Sequence, residues 1–264
     1  MPAPSTVSSP HPSGLCRLTA LAILLTATLR SATGTDVEAT LAAAHAAQDG
    51  LDSRRALELY LAADRARPND ARILQKIARQ YSDLVVDLPT DEARRRYAQS
   101  ALDYSLRAVA LDPRNPENVL SLAISHGKLA VYSDLKTRIQ YSRFVREEAE
   151  RALALDPRYA WAHHVLGRWH YEVATLGATA RIFVRLFYGG LPAASTAAAV
   201  QALQRAVELE PDEIAHQLEL GFALAADGQK EKARTQFEKS LALPSRRKHD
   251  DIAKTRGRAA LANL

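Results

Sequence analysis

The chain repeats one local pattern four times: a helical stretch ends at a proline, and a new helical stretch begins within a few residues. Proline lacks a backbone hydrogen-bond donor and clashes with the preceding turn, so it stops a helix. An alanine-rich stretch precedes each proline, and a stretch with a small residue near its middle follows. Small residues let helices approach closely, which predicts stacked helix pairs. The turns are RPND from Arg67, DPRN from Asp112, DPRY from Asp156 and EPDE from Glu210.

Five units match the tetratricopeptide (TPR-like) pattern of about 34 residues at its packing positions. In that pattern, positions 7, 8 and 11 of the first helix face positions 20, 24 and 27 of the second, and a proline near position 32 ends the pair. We therefore predict an all-α fold, a TPR-like α-α superhelical array of about five helix pairs. The first helices carry Ala43, Ala44 and Ala47; Ile77, Ala78 and Tyr81; Leu122, Ala123 and His126; Leu166, Gly167 and His170; and Leu220, Gly221 and Leu224.

The spacing of the prolines predicts an insertion in the fourth unit. Pro157 and Pro211 are 54 residues apart, whereas Pro211 and Pro244 are 33 apart. The segment from Asp250 to Leu264 is expected to form a C-terminal capping helix. The inserted segment, Thr175 to Ser195, has an apolar side that we expect to pack on neighbouring repeats. Two alternatives are that it covers the groove as a lid or touches a membrane surface, through Arg181, Phe183, Arg185 and Phe187.

The N-terminal 34 residues differ in composition from the rest of the chain. They contain no acidic residue, and Arg17 precedes a twelve-residue apolar run, Leu18 to Leu29. Small residues at Ala32 and Gly34 follow, which is typical of a secretory signal peptide. We predict a signal peptide or targeting segment over residues 1–34, a helical repeat domain over residues 35–264, and a secreted or periplasmic protein. The alternatives are an uncleaved membrane anchor or organellar (mitochondrial) targeting.

Charge and motif content exclude several classes of function. Removing the two arginines of the N-terminal segment leaves 33 basic against 30 acidic residues, too balanced for a nucleic-acid binder. Nucleophile elbows, phosphate-binding loops and dinucleotide fingerprints are missing from the sequence. His163, His164 and His170 lack the three- or four-residue ligand spacing of a helical metal site. The sequence therefore predicts no catalytic residue, no metal and no cofactor.

The concave face of such an array is the candidate binding site. Positions 2, 5, 9, 12 and 13 of each first helix line that face, and aromatic rings beside arginine provide much of the energy of binding sites. We predict a pocket for a peptide segment or an anionic headgroup, with the alternative that Trp161 and Tyr171 pack against the inserted segment. The predicted groove residues are Trp161, His164, Arg168, Tyr171 and Glu172, with Arg79, Lys128 and Phe222 from neighbouring units.

Three stretches resemble one known family, the regulator of microtubule dynamics proteins. They are HHVLGRWHYEVA from His163, ALQRAVELEP from Ala202 and LGFALAADGQKEKA from Leu220, with an apolar Gly-Gly-Leu-Pro insert between the first two. The resemblance covers about Val37 to Leu264. It implies an all-helical TPR-like domain without catalysis. It also implies microtubule association in animal members, and lipid binding at organelle contacts in one of them.

Three functions follow, in decreasing order of support. The first is a non-catalytic scaffold that binds a protein or peptide in its concave groove. The second is a lipid-binding or transfer module that uses the groove and the apolar insert, with phospholipid as ligand. The third and weakest is a His-dependent metalloenzyme. Microtubules are expected as partners only if the protein is cytoplasmic, and nucleic acid is not expected.

Overall fold

The structure is a computed structural model that describes Met1 and residues 36–264. The predicted signal peptide lies outside the described residues. Within residues 36–264 the regular structure consists of twelve α-helices and one short 3₁₀-helix, without a strand. The predicted all-α fold class is therefore confirmed.

The helices follow one another with short connections. They are α1 (36–49), α2 (Ser53–Ala66), α3 (Ala71–Leu84), α4 (Asp91–Leu111), α5 (Pro116–Ala130) and α6 (Leu135–Leu155), then α7 (Ala160–Ala174), α8 (Ala178–Tyr188), α9 (Thr196–Leu209), α10 (Ile214–Ala226), α11 (Lys230–Ala242) and α12 (Asp250–Ala262). The 3₁₀-helix, Val85–Asp87, follows α3.

Polar residues after the prolines begin the next helix where the sequence supplies them. The side chain of Asp70 accepts hydrogen bonds from the backbone of Arg72 and Ile73 at the start of α3. Asn115 caps α5 in the same way, and Pro116 occupies the first turn, where no donor is needed. Such caps satisfy backbone groups that a helix end leaves unpaired. The repeated turn therefore both ends one helix and starts the next.

Helices pair as the repeat pattern predicts. The first helices α3, α5, α7 and α10 pack against the second helices α4, α6, α9 and α11, respectively, and α12 covers α10 and α11 as the predicted cap. The second helices of the middle units, α4 and α6, are both 21 residues long, against 14 for α2 and 13 for α11. Longer helices, rather than inserted loops, therefore account for the wider spacing of those units.

Two helix pairs approach so closely that the first helix has glycine at the contact. A Cβ placed on Gly167 of α7 would lie 2.6 Å from Leu203 Cγ and 3.2 Å from the Ala199 carbonyl oxygen of α9. A Cβ on Gly221 of α10 would lie 2.6 Å from the ring of Phe237. Such distances leave no room for a side chain, so glycine sets how near the paired helices can come.

The inserted helix α8 contradicts the expectation that its apolar side packs on neighbouring repeats. Ile182, Phe183, Leu186 and Phe187 are 60%, 43%, 72% and 68% exposed. Among the helices, α8 contacts α6 on the outside of the array. Across the part of the chain that the structure describes, no helix combines the length and apolar character needed to span a bilayer.

Replacing Gly167 by alanine tests the close approach of α7 and α9. The added methyl group must displace Leu203 and meets the α9 backbone, so Gly167→Ala is expected to lower the free energy of unfolding by about 1–2 kcal/mol. The matched control is Gly127→Ala in α5, where the nearest atom would be Val145 Cγ2 at 3.6 Å. There alanine is expected to raise the free energy of unfolding by about 0.5–1 kcal/mol, because helical glycine has excess backbone entropy to lose. Urea unfolding measures both changes, and a stabilising Gly167→Ala would contradict the proposed contact.

Candidate functional site

Trp161, a predicted groove residue, is in contact with several elements of the array. Its ring lies edge-on to the His216 ring, with centroids 4.6 Å apart, and 5.0 Å from the His164 ring. The guanidinium carbon of Arg247 sits 5.1 Å from the Trp161 ring centroid, which is cation-π distance. These partners come from α7, α10 and the segment after α11. The alternative that Trp161 packs against the inserted segment is therefore wrong.

The segment between α11 and α12, residues 244–249, reaches over this face; we call it the strap. Arg247 Nε donates to a carboxylate oxygen of Glu213, which precedes α10. Lys248 Nζ donates to Asp87 Oδ2 at 2.6 Å, a contact that joins residues 161 positions apart. Asp250 Oδ2 accepts the backbone N–H groups of Arg246 and Arg247, both at 2.7 Å. The strap thus links the last repeats to the 3₁₀-helix that follows α3 in the second unit.

Two buried histidines lie beneath Trp161. Nδ1 of His164 and Nδ1 of His216 are 3.0 Å apart, and both side chains are buried. One ring must donate and the other accept, so the pair cannot carry two charges in this arrangement. Burial lowers the pKa of His216 to about 3, and Arg247 adds to that effect. Burial, followed by His216 and Arg168, lowers the pKa of His164 well below its usual value.

One carboxylate faces the histidine pair, but burial and Arg247 still lower the pKa of His216. Glu210 Oε2 is 3.5 Å from His216 Nε2, and Nε2 has no hydrogen-bond partner among the described residues. The pKa of His216 is lowered despite this neighbour, which agrees with a long contact to a partly exposed carboxylate. We therefore assign both rings as neutral at pH 7.

Arg168 belongs to a charged network on the same face. Its Nη2 donates to Glu172 Oε1 at 2.6 Å, and its Nε lies 3.9 Å from Glu219 Oε2. Arg256 of α12 donates to the other oxygen of Glu219 at 3.2 Å, with its guanidinium carbon 4.9 Å from the Phe222 ring centroid. Three predicted groove residues therefore come together around Glu219.

The remaining predicted groove residues extend this surface toward the second unit. Arg79 Nε lies 3.8 Å from Asp83 Oδ2. Burial lowers the pKa of Lys128; Asp83 opposes the shift and Arg168 adds to it. Lys128 therefore lies between the charges of α3 and α7. Tyr171 is partly buried against the core of the last two repeats.

The three histidines that suggested a metal site point to different places. His163 Nε2 contacts the Pro157 carbonyl oxygen at 3.0 Å, while His164 contacts His216. His170 lies against Trp169 and lines a cavity of about 560 Å³ between α7 and α9. Within residues 36–264, His, Cys, Asp and Glu side chains form no group of three that could hold a metal ion.

The repeat register missed part of the site. His216 occupies position 3 of the fifth first helix, a position that the pattern does not assign to the groove. Arg247 and Lys248 belong to the RRK run after Pro244. The sequence shows that this run is basic, but it does not show which residues pair with it. Asp87 and Glu213 lie far away in sequence, so nothing local to the strap indicates them.

Acidification tests the buried pair. Each folded-state pKa lies below the usual value near 6.5, so the unfolded chain binds more protons as the pH falls from about 6.5 toward 3, and stability is lost across that window. Between pH 7 and pH 5 one such ring contributes about 2 kcal/mol of this loss. Over this interval, the free energy of unfolding of His216→Gln is expected to fall by about 2 kcal/mol less than that of the wild type. Urea unfolding at the two pH values measures both changes.

His163→Gln, on the same helix as His164 but outside the pair, is the control for this measurement. The assignment requires that His216→Gln change the pH dependence of the free energy of unfolding more than this control does. Identical pH dependence of His216→Gln and the wild type would show that the pair does not titrate as assigned.

Comparison with known proteins identifies the family and supports the fold. The model of the family "Regulator of microtubule dynamics protein 1-3" matches residues 40–264. Regulator of microtubule dynamics protein 3 of Xenopus laevis is 30% identical over 138 residues, which cover 52% of this chain and 30% of that protein. Regulator of microtubule dynamics protein 1 of Bos taurus is 26% identical over 144 residues, which cover 54% of this chain and 45% of that protein.

A solved structure supports the architecture. A thermophilic TPR protein of Thermus thermophilus, TTC0263, superposes with a TM-score of 0.63 at 20% identity, covering 86% of this chain and 99% of that one. At this identity the likeness concerns the fold alone. The matches span less than half the length of the two curated relatives, whereas the family model covers most of the present chain. The chain belongs to the regulator of microtubule dynamics family.

Proposed function

We propose that the protein is a non-catalytic helical scaffold that binds an extended segment of a partner protein on its concave face. One observation carries the proposal: the face already holds a segment of the chain itself, the strap. TPR-like architecture and the family relationship both support a protein-binding scaffold. A partner segment with similar chemistry would use the same contacts in place of the strap.

The contacts of the strap indicate what the partner segment should contain. Trp161 offers a ring face and Glu213 a buried carboxylate to one guanidinium group. Asp87 offers a second carboxylate to the next basic side chain. A carboxylate beside an aromatic ring face binds the planar, charged guanidinium of arginine better than it binds a neutral side chain. We therefore infer an extended ligand with an arginine followed by a second basic residue.

The same surface supports a peptide better than a phospholipid tail. Arg79, Lys128, Arg168 and Glu219 line the hollow, and charged groups would lose hydration against an acyl chain without compensation. The two cavities described, of about 480 and 560 Å³, lie beside α6 and α8 and between α7 and α9 rather than on this face.

The sequence has two basic runs, residues 94–96 and 246–248, whose pairing within the chain does not favour an acidic partner such as a microtubule. Arg94 donates to the Leu88 carbonyl oxygen and to Asp91, and Arg96 donates to Glu92. In the second run, Arg247 and Lys248 are already paired within the chain. A microtubule role, which the names of the relatives suggest, would therefore need a surface other than these two runs.

A peptide added in trans tests the proposal. Arg247→Ala combined with Lys248→Ala should loosen the strap and expose its binding surface. A labelled peptide with the strap sequence PSRRKH is expected to bind this variant, measured by fluorescence anisotropy, and to bind the wild type at least about tenfold more weakly because the strap competes. Glu213→Gln in the loosened background should weaken binding about tenfold or more, because a charge-assisted hydrogen bond is lost.

Two controls make the peptide measurement specific. Glu231→Gln, at an exposed acid in the first turn of α11, should leave the affinity unchanged. A peptide in which both residues of the Arg247–Lys248 pair are alanine should not bind. The proposal fails if the loosened variant is folded by circular dichroism but ignores the basic peptide, or if Glu213→Gln has no effect.

A further inference from the structure

The inserted helix α8 presents an uncovered apolar surface on the outside of the array. Successive residues of an α-helix are about 100° apart, so Ile182, Phe183, Leu186 and Phe187 share an arc of about 140°. All four are exposed, and the rings of Phe183 and Phe187 lie with their centroids 4.7 Å apart and their planes tilted by 37°. Four large exposed apolar side chains on one short helix form a contiguous patch, which commonly marks an interaction site.

Two further arcs of α8 have different chemistry. Val184, the one buried residue of α8, and Tyr188 lie on the arc that faces α6. Arg181 and Arg185 lie between that arc and the apolar one, and both are exposed. The helix therefore has an attachment side, a basic flank and an exposed apolar side, whose edge at Phe187 borders the cavity beside α6.

The end of α8 is held firmly enough to keep this orientation. Gly189 and Gly190 adopt left-handed backbone angles, with φ of 74° and 81°, and turn the chain away from the helix. Arg143 of α6 donates from Nη2 to the carbonyl oxygens of Tyr188 and Gly190, both at 2.6 Å. These bonds satisfy carbonyl groups at the helix end and fix it against α6. The apolar arc is thus displayed outward by the fold rather than left loose.

The segment of sequence that contains α8 carries charge of one sign, while the facing side of α6 contributes Lys136, Arg143 and Glu147 to the cavity beside it. Between Glu172 and Glu208 the sequence contains no acidic residue, while Arg181, Arg185 and Arg205 are basic. We propose that α8 docks on an anionic phospholipid surface, with its four apolar side chains in the interfacial layer and its two arginines at the lipid phosphates. An amphipathic helix with aromatic and leucine side chains beside arginine has the composition of an interfacial anchor. Arginine recognises phosphate through paired N–H donors.

A protein partner fits these observations less well. In a symmetric pair of copies, the same patch would meet itself and bring two basic flanks together without a nearby acid on α8. The four side chains of the patch are exposed on a helix that contacts α6. A flat, negatively charged surface matches both the exposure and the charge of this patch. The docking site is separate from the concave face and does not depend on the function proposed there.

A local fluorescent probe tests this proposal in the full chain. Leu186→Cys in a Cys16→Ser background places one environment-sensitive dye on the apolar arc. Vesicles of phosphatidylcholine with about 30% phosphatidylserine should shift its emission to the blue, because the dye enters the interfacial layer. Pure phosphatidylcholine vesicles should give a markedly smaller response. A probe on α8 separates this contact from any binding by residues 2–35.

Variants and controls define the outcome. Arg181→Glu with Arg185→Glu should raise the lipid concentration for half-maximal response about tenfold or more, and high salt should act in the same direction. The dye placed instead at Leu106→Cys, an exposed position on α4, should not respond. Circular dichroism verifies that all of the variants are folded.

Three results would overturn the proposal. The first is a folded Leu186 probe that does not respond to anionic vesicles. The second is an equal response from the dye at position 106, which would indicate that the vesicles contact the protein without preference for α8. The third is a blue shift without vesicles that grows with protein concentration, together with dimers in sedimentation experiments. That result would identify the patch as an interface between two copies.

Discussion

The close approach of paired helices is the constraint on which the rest of the structure depends. Where α7 meets α9, the backbone of one helix lies against Leu203 and Ala199 of the other, with room only for a hydrogen at Gly167. The Phe237 ring occupies the corresponding space beside Gly221. Because the paired helices stack on their neighbours, the array curves and buries a series of core clusters along its length. The concave face is a consequence of that curvature.

The concave face is filled largely by side chains that satisfy one another. Arg168 and Arg256 share Glu219, and Arg247 stacks on Trp161 beside Glu213. Charges paired in this way contribute little net stability at a surface, but they determine which ligand can replace them. Under the proposed function, a partner would exchange contacts with the strap rather than enter an empty pocket. The neutral histidine pair below Trp161 is buried, and burial disfavours its protonation.

The protein separates two kinds of surface. Its concave face is polar, charged and linked across the array by the strap, whereas the patch on α8 is apolar and basic and lies on the outside. An extended protein segment and an anionic lipid surface could therefore be held at once without competing for the same side chains. The relatives share the helical domain over part of their length, so additional functions of those longer proteins need not reside here.

The sequence by itself determined the helix pairs, because proline ends a helix locally and the small residues at Gly167 and Gly221 recur in register. It also indicated Trp161, Arg168 and Phe222, which follow from position within a repeat. Tertiary structure alone decided that Lys248 meets Asp87, which depends on the summed curvature of several units, and that His164 meets His216, which depends on how two neighbouring units pack. It likewise decided which side of α8 faces solvent. An apolar arc has the same sequence pattern whether it is buried or exposed. Only the neighbouring elements of the fold decide which of the two it is.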